Sequence, residues 1–228
     1  MIKSRVLQFA YPGAASMRFP DVDVAQGAVL LLRGPSGSGK STWLALVAAL
    51  VPPTGGVREV AGQNVAALRR VQADAWRART LGFLPQKLHM SAALTVAQNL
   101  GLAFWAAGVA QDRRRIEAAL AAVGVVELAD RLPAQLSGGQ AQRVALARAV
   151  LMQPRVIGAD EPTASLDDDA AREALQLLRS TAQQCGATLV IATHDARVGE
   201  FFAGPSAGVP AQVQTQLLAR SQQPETPA

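Results

Sequence analysis

A chain of 228 residues, 50% apolar and 17% charged, is long enough for one folded domain that buries roughly 70% of its unfolded surface. Its longest apolar stretches, "WLALVAAL" and "LAFWAAGVA", fall short of the ~18–20 residues that a bilayer crossing needs, so no membrane span is expected. Cys185 is the only cysteine, which excludes an internal disulfide and fits a reducing cytosol; the net charge of +5 suits an anionic partner or reflects an ordinary arginine-rich surface.

The N-terminal "MIKSRVLQFAYPG" has a basic start but no apolar run behind it, so no secretory signal is expected. "RVLQFAY" alternates as a half-buried strand does, and "DVDV" (Asp21–Val24) alternates again, which gives a small antiparallel edge. "AVLLLR" (Ala28–Arg33) is instead a continuous apolar run, the pattern of a strand buried on both faces. It leads into "GPSGSGKST", and "STWLALVAAL" follows as a helix stopped by Pro52 and Pro53. From Lys87 to Gln153 no strand pattern occurs. "LTVAQNLGLAFWAA", "QDRRRIEAALAAV" and "GGQAQRVALARAVLM" place apolar residues at helical spacing, with Arg113–Arg115 on a solvated face.

Two further buried strands, "RVIGAD" (Arg155–Asp160) and "ATLVIATHD" (Ala187–Asp195), complete an α/β layering around a parallel sheet. The chain thus reads as one domain over residues 1–205: a core of 1–86 and 154–205, with a helical subdomain, 87–153, inserted into it. Beyond about Gly204 the composition turns to Gly, Pro, Gln and Ser, so 206–228 is expected to be poorly ordered, with "VQTQLLAR" its one candidate element.

"GPSGSGKST" matches G-x-x-x-x-G-K-[ST] between a buried strand and a helix, the setting that motif requires. Gly34, Gly37 and Gly39, with Pro35, Ser36 and Ser38 between them, let consecutive backbone N–H groups converge on phosphate oxygens without a Cβ in the way. Lys40 supplies charge to the β- and γ-phosphates, Ser41 offers a hydroxyl to Mg²⁺, and Thr42 ends the motif. Strand carboxyl ends gather on one edge of a parallel sheet, so Asp160 and Glu161 of "VIGADEPT" are expected beside this loop. Asp160 would hold the metal through water, and Glu161 would polarise an attacking water as general base. His194, at the end of the third strand, is placed to hydrogen-bond the γ-phosphate or that water. Gln86 in "LGFLPQ" has an amide suited to Mg²⁺ or water, and otherwise is an ordinary loop glutamine.

A second glycine-rich helix start, "LSGGQ" (Leu136–Gln140), precedes "ADEPT" by a short interval. In order, Tyr11, the phosphate loop, Gln86, "LSGGQ", "VIGADEPT", "SLD" (Ser165–Asp167) and His194 resemble the nucleotide-binding subunit of ATP-binding cassette (ABC) transporters over about Arg5 to Asp195. The resemblance implies a RecA-like P-loop NTPase core with an inserted helical subdomain, bound ATP and Mg²⁺, and two subunits paired head-to-tail. Ser137, Gly138, Gly139 and Gln140 of one subunit would then close over the ATP held by the phosphate loop of the other, with Asp167 at the same interface. That fits the physics of a helix N-terminus, whose amides and dipole favour a phosphate. Tyr11 would stack on adenine, although an aromatic at that place also suits an edge of the core.

Within the family, the sequence is most similar to the lipoprotein-release, macrolide-export and cell-division group, though Gln98 stands where those helices usually carry glutamate. The expected partners are transmembrane permease subunits, contacted around Lys87–Leu100, and a second, identical nucleotide-binding subunit. The expected location is cytoplasmic, peripheral on the inner face of the cell membrane. No nucleic-acid partner is expected. A soluble ABC-type ATPase acting on nucleic acid or ribosomes is the alternative, disfavoured because the chain has neither a second cassette nor a coiled-coil insertion.

Overall fold

The computed structural model describes residues 1–164, 166–204 and 212–218. One sheet is antiparallel: β1 (Ile2–Phe9), β2 (Met17–Arg18), β3 (Val22–Val24), β5 (Gly55–Val60) and β6 (Gln63–Asn64), arranged around β1. The other is parallel: β4 (Val29–Arg33), β7 (Leu81–Leu84), β8 (Val156–Asp160), β9 (Thr188–Thr193) and β10 (Val213–Leu217), in the order β10-β4-β9-β8-β7. Helices α1 (Lys40–Val47), α2 (Arg70–Thr80), α3 (Val96–Ala107), α4 (Arg113–Ala122), α5 (Gly138–Val150), α6 (Asp168–Gln184) and α7 (Ala196–Ala203) surround them.

The unbroken apolar run of β4 has a simple cause. Leu30 and Leu32 join Val190, Ala192 and the fully buried Trp43 in a core shared with the antiparallel sheet. Val29 and Leu31 point the other way, into a core with Ile157, Leu189, Ile191 and the helices. Successive side chains of a strand face opposite layers, so a strand between two cores is apolar at every position. The second core continues without a break through Leu100, Phe104, Ile116 and Leu120 of α3 and α4.

The helices expected in the middle of the chain are α3, α4 and α5. Gln98 has a clear task there: Thr95 Oγ1 accepts from Gln98 N (3.3 Å) and Gln98 Oε1 accepts from Thr95 N (2.9 Å), a capping box at the start of α3. An amide can therefore fill the position that glutamate holds elsewhere. Arg115 departs from the solvated face expected of it. Its guanidinium lies 5.4 Å from the Phe104 ring centre and donates to Leu151 O. Gly158 interrupts β8 for space, since a Cβ there would come within 3.1 Å of the Phe83 ring on the neighbouring strand.

One strand of the parallel sheet, β7, escapes the sequence pattern, and another, β10, lies within the candidate element "VQTQLLAR". β7 is only four residues long, and β10 is a polar-alternating strand paired to β4 alone. β10 narrows the expectation that 206–228 is poorly ordered: five backbone pairings with Val29–Arg33 hold Val213–Leu217 at the sheet edge. The remainder of that tail, apart from Gln212 and Leu218, lies outside the described residues. Among the described residues no helix is long and apolar enough to cross a membrane.

Candidate active site

The site begins where β4 ends. The chain passes through Gly34–Ser38, and Gly39 opens α1 with a left-handed backbone, φ +90°. A Cβ at Gly39 would approach Phe19 Cε1 at 3.1 Å and Met17 Sδ at 3.3 Å, so both angle and space demand glycine. Among the described residues no side chain caps α1, which leaves its N-terminus, rich in unengaged N–H groups, as an anion site. Lys40 folds back over the loop. Its Nζ donates to the carbonyls of Gly34 (2.9 Å) and Pro35 (3.1 Å) and stands 3.6 Å from Glu161 Oε1.

β8 and β9 lie side by side, with Asp160 opposite Ala192 and Arg33 of β4 opposite Thr193, so all three strands end together. Asp160 is held above the usual carboxylate range, first by burial and also by the neighbouring Glu161 charge; a Ser41 hydrogen bond and Lys40 oppose the shift. Its Oδ1 is buried without a hydrogen-bond partner among the described residues. A desolvated carboxylate oxygen next to a hydroxyl is a donor set for a hard divalent cation that completes its shell with water and phosphate.

Glu161 adopts φ +48°, a backbone that costs a side-chain-bearing residue on the order of 1–3 kcal/mol and persists only where its surroundings enforce it. Its N–H donates to Ala192 O (2.8 Å), and its carboxylate meets Thr193 Oγ1 (2.9 Å), His194 N (3.3 Å) and His194 Nδ1 (2.8 Å). Against a carboxylate, Nδ1 carries the proton.

Lys40, Ser41, Glu161 and His194 face one open cleft of about 820 Å³, lined also by Tyr11, Met17, Ser36 and Gln86, while Asp160 and Thr193 stand behind its lining. Tyr11 stands half-exposed at its rim. The ring packs edge-on against Phe9 at 4.8 Å, and the hydroxyl hydrogen-bonds Thr42 Oγ1 at 3.2 Å. It is therefore anchored to the core edge and open to the cleft at once. Gln86 follows β7 and borders the cleft from that side. The backbone just beyond it is fastened by Arg148 of α5, which donates to Leu88 O (2.6 Å) and His89 O (3.0 Å).

Ser137, Gly138, Gly139 and Gln140 are absent from the cleft lining. Ser137 and Gln140 close a capping box on α5, and Cβ atoms at Gly138 or Gly139 would meet nothing within 4 Å. Asp167 is likewise elsewhere: it caps α6 through Ala170 N at 2.8 Å. Ser165 lies outside the described residues. Ala14, Ala15 and Met17 line the cleft beside Tyr11 without belonging to any motif. Thr193 and Asp195 also escape the motif reading, although they flank His194.

A strand–glycine loop–helix unit that carries Lys40, with Asp160 and Glu161 at the end of a nearby parallel strand, defines a P-loop nucleotide hydrolase. The family model described as ABC transporter matches residues 19–164. The lipoprotein-releasing system ATP-binding protein LolD of Anaeromyxobacter dehalogenans is 44% identical over 183 residues, covering 79% of this chain and 77% of that protein. The macrolide export ATP-binding/permease protein MacB of Photorhabdus laumondii is 37% identical over 205 residues, 87% of this chain but only 31% of that protein. Among solved structures, the dimeric post-hydrolysis state of the ATP-binding cassette MJ0796 bound to ADP and Pi superposes with a TM-score of 0.80 at 28% identity, over 99% of this chain and 100% of that one. The chain belongs to the ABC transporter family, as an ATP-binding and ATP-hydrolysing subunit. These relatives are transporter ATPases and lend no support to the nucleic-acid alternative.

Proposed function

We propose that two copies of this chain pair head-to-tail around ATP, and that closing and releasing the pair drives separate membrane subunits. The observation that carries this reading is the division of the phosphate-binding groups: the cleft gathers Lys40, Gln86, Glu161 and His194, while Gly138 and Gly139 open a helix outside it, with free space around their Cα atoms. A second chain would bring that helix start to the γ-phosphate, with Asp167 beside it. In each cleft Tyr11 takes the adenine face and Lys40 the β- and γ-phosphates. Glu161 accepts the proton of the attacking water and His194 steadies the γ-phosphate. Mg²⁺ would be held by Ser41 and Asp160 with Gln86 nearby; when bound, it neutralises phosphate charge.

An apolar groove of about 570 Å³ supports the membrane partnership. Leu50, Arg77, Phe83 and Trp105 line it, and Trp105 is 83% exposed. It lies between α1, α2, β7 and α3, flanking the segment 87–100 expected to meet the permease. A membrane subunit seated there would reach Gln86 through β7 and α5 through Arg148. The chain would then work at the inner face of the cell membrane as a peripheral subunit.

Glu161→Gln keeps the side chain's shape and removes the base. ATP-dependent dimers are expected to accumulate by light scattering while turnover falls by about 10²-fold or more, the general-base range. Hydrolysis at the native rate in that variant would show that Glu161 is not the base.

A further inference from the structure

We propose that Thr193 is a positioning residue for Glu161, holding one carboxylate oxygen so that the other faces the phosphate cleft; this rests on the reading of Glu161 as general base. The two oxygens of Glu161 have different company. Oε1 meets His194 Nδ1 at 2.8 Å and Lys40 Nζ at 3.6 Å. Both are side chains of the cleft, and a bound triphosphate competes for both. Oε2 accepts from Thr193 Oγ1 at 2.9 Å and from His194 N at 3.3 Å, groups fixed to the end of β9.

Thr193 is fully buried, and its hydroxyl is itself oriented. Asp195 N donates to Thr193 Oγ1 at 3.0 Å, which engages a lone pair and leaves the hydroxyl hydrogen for Glu161. Asp195 is anchored in turn. Thr163 Oγ1 donates to its Oδ2 at 2.6 Å, and Arg197 donates through Nε at 3.0 Å and Nη2 at 2.8 Å. A chain of fixed donors thus ends on Oε2. When Lys40 and His194 turn to phosphate, the Thr193 hydroxyl remains, and Oε1 is left free to take a proton from water. Without it, the one fixed donor to the carboxylate among the described residues is the longer bond from His194 N.

The test uses the full chain with ATP. Thr193→Val keeps the shape and deletes the donor, and Thr193→Ser keeps the donor. The Val variant is expected to lose about tenfold in kcat, the effect of one hydrogen bond to a charged group, with KM for ATP within about twofold of the native value. The Ser variant restores most of the rate. In a Glu161→Gln background, Thr193→Val is expected to cause no further drop, because the oriented base is already gone. Native turnover in the Val variant overturns the proposal, as does an equal loss in both backgrounds. If Thr193→Val fails to fold, Thr193→Cys against Thr193→Ser decides, since the two are close in size but the thiol is a weak donor: a Cys rate equal to the Ser rate overturns the proposal. Native hydrolysis by Glu161→Gln alone would instead strike the underlying reading of the base.

Discussion

Two helices of this protein begin with glycine and serine, the composition of a phosphate-binding helix start, yet they begin in opposite circumstances. At α1 no described side chain caps the helix, Lys40 lies over the loop, and the N-terminus opens into a cleft that also holds Glu161 and His194. At α5 the cap is complete, Ser137 with Gln140, and the glycines beside it look onto space. The first helix start can bind an anion within one chain. At the second, a Cβ on either glycine would meet nothing within 4 Å, and neither glycine lines the cleft that holds Lys40; on the proposed head-to-tail reading, the phosphate it serves is held by another chain. Glycine at α1 answers a positive φ and a crowded Phe19; glycine at α5 answers neither, and on the proposed head-to-tail reading close approach of a partner accounts for its bareness.

The strongest way to break this contrast is Gly138→Asp. The isolated chain has room for the new side chain, and a carboxylate at a helix N-terminus is favourable in the monomer. Set against a γ-phosphate, the same charge repels. Turnover is expected to fall about 10²-fold, the scale of losing an oxyanion-type donor site. In the Glu161→Gln background, light scattering should show ATP-dependent dimers lost, while fluorescent-nucleotide titration of the monomer stays unchanged. A monomer that binds ATP more weakly after Gly138→Asp would mean that α5 belongs to the same cleft as α1.

Tyr11→Ala probes the other side of the comparison at a smaller scale. Tyr11 borders the α1 cleft and touches Thr42, so its loss is expected to weaken ATP binding by the monomer several-fold, as stacking on a base is worth ~1–3 kcal/mol. Circular dichroism should find the fold intact, because the ring is half-exposed. Unchanged nucleotide affinity would assign Tyr11 to packing against Phe9 alone.

What can be read in advance follows the same physics. β4, β8 and β9 are buried on both faces, so their sequences are apolar almost throughout and visible without a structure. The motif residues attached to their ends come with them. β10 shows in the sequence only as a candidate element of unassigned type, because an edge strand of "VQTQL" needs little apolar surface, and β7 is hidden because four residues around a glycine carry no period. The role of Ser137 as a helix cap follows from its place before two glycines and Gln140. The contacts of Thr193, Thr163 and Arg197 are not legible, because they depend on which strand end meets which loop. Sequence spacing states only that such ends gather on one edge.

A third helix start completes the series and carries the smallest expected effect. α7 is closed by its own acid: Asp195 accepts from Arg197 N at 2.9 Å and is gripped by the same residue's guanidinium, which also donates to Asp168 Oδ1 at 2.8 Å and to Leu166 O at 3.2 Å. Arg197, with help from Thr163, holds the Asp195 carboxyl down at about 2. Since an unfolded aspartate titrates near ~3.9, the folded state binds this proton less readily than the unfolded one. The stabilisation from Asp195 is therefore full above about pH 4, and it is lost as the pH falls through about 2. Asp195→Asn is expected to lower the melting temperature by a few degrees at pH 7 and to flatten its decline between those pH values. α1 and α5 have no such acid in their caps, so an equal acid-dependent loss in the Asn variant would place the titrating group elsewhere and remove α7 from the series.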